Sequence, residues 1–180
     1  MIIANQYRRT NIAEYVLYMW QLEDTLRAFK LDYSLVETHI VSRYQQDDVT
    51  IKDIGEWYKG LIDLMVEEGI KEKGHLQMVT NIVNDVNQFH LFQLQEATDK
   101  QYMQLYSQAK ANMDIFRSKL GNTKLHDVEI CFIALYDFLL LKLQKKEVSE
   151  GTQEAMTTFS HFLAYLSVKY LKDEKGEEEQ

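Results

Sequence analysis

Proline is absent from all 180 residues, and the chain holds only seven glycines and one cysteine. Without proline nothing forces a segment out of helix through a fixed φ and a missing N–H, and scarce glycine leaves few positions suited to left-handed backbone. Alternation of apolar and polar residues, the mark of a half-buried strand, is also missing. A single cysteine excludes an internal disulfide. Cys131 lies in the most apolar run, as a buried and reduced thiol would, which fits a cytoplasmic location.

Positive charge is in deficit. Lys and Arg number 20 against 28 Asp and Glu, a formal charge of −8, and no basic face is concentrated anywhere. Nucleic acid is therefore not an expected partner, because neutralising phosphates supplies most of that affinity. The start, MIIANQYRRT, lacks the apolar core of a secretory signal, and Tyr7, Arg8 and Arg9 are placed to flank a helix start. The longest apolar run, Leu125 to Leu143, carries Asp127 at its start and Glu129, Asp137 and Lys142 between Val128 and Leu143. It falls short of the roughly 20 uncharged residues that span a bilayer, so no membrane partner is expected either.

Familiar catalytic patterns are missing as well: there is no H-E-x-x-H, no G-x-S-x-G, and no paired Glu-x-x-His motifs of a di-iron bundle. Gly69 and Gly74 match the spacing of a phosphate-binding loop, but His75 stands where a lysine is required and a helix precedes it. No motif implies a cofactor.

What is present is helix. Leu, Gln, Glu, Lys and Met abound, and 180 residues suffice to bury roughly 70% of the unfolded chain's surface without a staple. Asn11 caps a helix running to about Phe29, with Ile12, Tyr15, Val16, Met19, Leu22 and Leu26 on one face. A shorter helix opens with a Ser34–Glu37 capping box and runs to about Gln45. A third, capped by Thr50, buries Ile54, Trp57, Tyr58, Leu61 and Met65 and ends at Gly69. The fourth spans about His75 to Ala97; the fifth opens at Asp99 or Thr98 and ends at Gly121. A sixth, capped by Asn122 or Thr123, covers about 124–146, and a seventh begins at Ser149 or Thr152 and reaches about Leu171. The expected fold is an all-α bundle of six to seven mostly antiparallel helices around the 124–146 helix. Residues 1–171 are expected to form one domain, with 172–180 an acidic, disordered tail.

A few polar residues fall on apolar faces. At about 100° per residue Glu23 lies in the middle of the first helix's apolar arc, with Arg27 one turn on. Buried carboxylates need partners, so Glu23 is expected to hold Arg27 or a tyrosine of another helix; the alternative is a ligand or general base in a pocket between helices. His90 sits in the stripe of the fourth helix. His126 and Glu129 lie one turn apart, and a His₂–carboxylate metal set of His90, His126 and Glu129 or Glu23 is the least favoured reading. His126, Glu129, Asp137 and Gln144 form a narrow polar seam, which either meets solvent or faces Glu23 and His90.

NIAEYVLYMWQLEDTLR (11–27), EKGHLQ (72–77) and ALYDFLLLKLQKKEVSEGTQ (134–153) resemble a family of uncharacterised helical proteins of similar length from Bacteroidetes bacteria. The resemblance covers nearly the whole chain and implies a bacterial cytoplasmic setting; it carries no catalytic residues. Leu17, His161, Tyr165 and Val168 lie outside the core arcs and widen the apolar surface. A non-enzymatic interaction module, binding a protein partner or forming a homodimer, is thus the expected function. The alternative is a small-ligand- or metal-binding enzyme with a site near Glu23, His90 and Glu129.

Overall fold

A computed structural model describes residues 2–121 and 124–176. It is an all-α bundle. In chain order the helices are α1 (Ile2–Thr10), α2 (Ile12–Ala28), α3 (Tyr33–His39), a 3₁₀ turn (Val41–Arg43), α4 (Asp48–Glu67), α5 (Gln77–Glu96), α6 (Lys100–Lys119), α7 (Asp127–Leu143) and α8 (Glu150–Glu174). There is no strand among the described residues. The helix beyond the expected six or seven is α1: the segment thought to flank a helix start is itself helical, and Ala4 packs it onto the core. Asn11, extended at φ −157° and ψ 97°, separates α1 from α2 and accepts the Glu14 N–H.

Several helices start at other residues than the hydroxyls suggested. Asp32, not Ser34, caps α3 and takes the Ser34 and Leu35 N–H groups. Asp47, not Thr50, caps α4, accepting the Thr50 N–H at 3.0 Å and its hydroxyl at 2.7 Å. A carboxylate there also faces the positive end of the helix dipole. The expected caps of α7, Asn122 and Thr123, lie outside the described residues; His126 fills that position and its Nδ1 accepts the Glu129 N–H.

The core gathers Val16, Met19 and Leu26 of α2, Val79, Val83 and Val86 of α5, Val128 to Phe132 of α7 (Glu129 apart) and Phe159, Phe162 and Leu166 of α8. α7 packs among α2, α5, α6 and α8. Its first half is enclosed: Val128, Ile130, Cys131 and Phe132 are each 0% exposed. Its second half emerges, with Leu135, Phe138, Leu139, Leu140 and Leu141 only partly buried and Leu143 59% exposed. At the acidic end, Lys172 to Glu174 continue α8, and Glu174 pairs with both terminal nitrogens of Arg8 at 2.8 Å; residues 177–180 lie outside the description. No described helix is long and apolar enough to cross a membrane.

Candidate functional site

Glu23 is 1% exposed, as its place in the α2 arc requires. Its partners come from the loop between α4 and α5. One carboxylate oxygen accepts from His75 Nδ1 at 2.7 Å, the other from the Leu76 N–H at 3.0 Å. The expected pairing with Arg27 does not form. Arg27 instead donates to Asp24 at 2.8 Å and to the Ile70 and Gly74 carbonyls of the same loop. One turn of α2 thus holds both edges of the loop, the carboxylate gripping N–H groups and the guanidinium gripping carbonyls. Gly74, at φ +96°, supplies the left-handed residue that lets the loop turn back.

His75 is the residue that periodicity did not reveal. It lies in a loop 52 positions from Glu23, and its ring stacks on Trp20 with centroids 4.1 Å apart at 14°. One signal did exist. α5 begins at Leu76–Gln77 with no side-chain cap, so its first N–H groups must find remote acceptors. Glu68 takes the Gln77 N–H at 2.7 Å and Glu23 takes that of Leu76.

His90 and His126 meet elsewhere, in a cleft of about 390 Å³ between α5, α6 and the amino end of α7. His90 is 1% exposed and its Nδ1 is 2.5 Å from the Tyr102 hydroxyl. Burial lowers its pKa to about 4, so the ring is neutral near pH 7. Burial lowers the pKa of His126 too. Because His126 Nδ1 accepts a backbone N–H, its neutral ring carries the proton on Nε2. That nitrogen is buried without a hydrogen-bond partner, with Glu129 Oε2 at 3.8 Å.

Asp127 closes the floor of the cleft. It accepts from the Tyr106 hydroxyl at 2.7 Å, from Lys110 at 3.3 Å and from Arg117. Burial alone would raise its pKa, but these donors outweigh it and hold the carboxyl below its ordinary value. Glu129 does not line this cleft. Burial raises its pKa, and the nearby His75 opposes the shift. Glu129 therefore stands between two clusters: Glu23, Arg27 and His75 on one side, His90 and His126 on the other. The candidates do not converge on one cavity. Among the described residues no three His, Cys, Asp or Glu are grouped to hold a metal ion.

A family model covers residues 1–177 of this chain, under the description Domain of unknown function (DUF4924). The chain belongs to that family. No curated protein matches the chain, and no solved structure does. Membership in DUF4924 assigns no residue a role, so chemistry has to be read from the arrangement itself. At Glu23, Arg27 and His75 the polar atoms are spent mainly on fixing a loop; at the His90 cleft, several donors remain open.

Proposed function

We propose that this DUF4924 protein is a non-enzymatic module that self-associates, two copies packing through the carboxyl half of α7. The observation carrying this reading is the incomplete burial of the most apolar helix. Leu135, Phe138 and Leu139 line a groove of about 500 Å³ walled by α2 and α8, with the exposed Glu14 and Lys142 at its edge. Behind Phe138, a second groove of about 310 Å³ runs between α6 and the start of α8, over Leu141 and Phe116. Half-open leucines on a helix of this composition belong against another apolar surface.

A second copy suits the rim. In a two-fold contact each residue meets its counterpart's neighbours, so Glu14 of one copy can face Lys142 of the other. A chain of net charge −8 gains from such local pairing of unlike charges, and that charge favours a protein partner over a nucleic acid. A cytoplasmic location goes with the reading, since the one cysteine, Cys131, is free and buried.

Sedimentation equilibrium tests it. The wild-type chain is expected as a dimer at micromolar concentration and Leu139→Glu as a folded monomer. A monodisperse wild-type monomer at high concentration overturns the proposal.

A further inference from the structure

The cleft at the amino end of α7 has an excess of open hydrogen-bond donors. Both oxygens of Asp127 are occupied, one by Tyr106 and the other by Lys110 and Arg117. Lys110 uses two of its three protons, on Asp114 and Asp127, and keeps one. The Tyr102 hydroxyl has no other acceptor among the described residues, so it donates to His90 Nδ1; the neutral ring keeps its proton on Nε2, and His90 lines the cleft. The amino end of α7, a helix of 17 residues, borders the cleft through His126 and Asp127 and brings the positive end of its dipole there.

Asn87 supplies the independent observation. It is 7% exposed, it lines the cleft one turn before His90, and its amide makes no hydrogen bond with any described residue. Its amide atoms are not sealed from solvent, so they face the open cleft and are free to meet a bound acceptor. Leu91, Leu94 and Leu125 give the cleft an apolar side, and Tyr106, Arg117, His126 and Asp127 complete its lining. A volume of about 390 Å³ is that of a small-molecule site.

We propose that this cleft binds a small organic carboxylate, its oxygens on Asn87, His90 and Lys110 and its apolar body on Leu91, Leu94 and Leu125. The carboxylate supplies the acceptors that the cleft lacks, and the amino end of α7 favours its charge. The site is separate from the grooves along the carboxyl half of α7, so pairing of copies and ligand binding stand or fall independently.

Phenylacetate is the probe, titrated into ¹⁵N-labelled full-length protein at neutral pH, with 2-phenylethanol as the uncharged control. Millimolar phenylacetate is expected to give saturable shifts of the Asn87 side-chain amide and of backbone amides in 87–94 and 126–128. The alcohol should bind about tenfold or more weakly, a difference of about one charge-assisted hydrogen bond. Asn87→Leu should weaken phenylacetate by a similar factor while leaving Tm within about 2 °C of the wild type, because the amide makes no hydrogen bond to any described residue. Absent or scattered shifts, equal binding of the alcohol, or unimpaired binding by Asn87→Leu would overturn the proposal. So would a Tm of Asn87→Leu lowered beyond that range, which would give the amide a structural role.

Discussion

The two halves of α7 have similar composition and opposite surroundings. From Val128 to Phe132 the apolar side chains are sealed by α2, α5, α6 and α8, and the charged Asp127 is held by three donors. From Leu135 to Leu143 comparable leucines lie half open, and the charged Asp137 is exposed with no hydrogen-bond or ion-pair partner among the described residues. The difference teaches that an apolar run does not by itself say what will cover it. Neighbours are set by where other helices end, and the packing that encloses the first turns of α7 does not follow it to Leu143.

Truncation breaks the comparison most sharply. Phe132→Ala is expected to cost about 3–5 kcal/mol in urea unfolding, the amount for a large side chain removed from a closed core. Leu139→Ala should cost about 1 kcal/mol in the monomer, since a half-buried leucine has less transfer energy to lose. Its larger effect should appear in the dimerisation constant. Equal costs at the two positions would erase the distinction.

Acid should weaken the enclosed end through its buried histidines. An unfolded chain protonates His90 near pH 6.5, whereas the folded one does so near 4 because of burial. Between those values the unfolded state binds more protons, so stability is full above about pH 6.5 and falls as pH drops toward 4. His90 can account for about 3 kcal/mol of that loss, and His126, also lowered by burial, acts in the same direction. Protonating His126 also removes the acceptor that caps α7. Urea midpoints between pH 7 and 4 check this, with His90→Gln expected to flatten the decline; an unchanged slope in that variant would remove His90 as its source.

The two aspartates give the smallest contrast. Asp127→Asn weakens the contacts to Arg117 and Lys110 and should cost about 2 kcal/mol. Asp137→Asn, ten positions along the same helix, should shift stability by less than about 0.5 kcal/mol. Thermal melts of the two variants side by side measure the difference.

Much of this is legible in the sequence. The angular position of Glu23 among Ile12, Tyr15, Val16, Met19 and Leu22 was enough to place it inside, and the stripe through Val79, Val83 and Val86 did the same for His90. Their partners were not readable. Local spacing favoured Arg27 for Glu23, yet the buried N–H of Leu76 and the ring of His75 had greater need of an acceptor, and Arg27 found backbone carbonyls in the same loop. On the sequence the seam of α7 is a single feature. It is divided in the fold, with Asp137 in solvent, His126 in the cleft beside His90, and Glu129 between the two clusters.

Composition and period alone decided that this chain is helical, where most helices lie and which side chains turn inward, because those depend on local backbone preference and on a repeat of 3.6 residues. Only tertiary packing decided that His75 serves Glu23, that Asn87 keeps its amide open beside His90, and that α7 is covered over one half of its length. Those outcomes depend on pairs of residues far apart in the chain, and no local pattern encodes the distance between them.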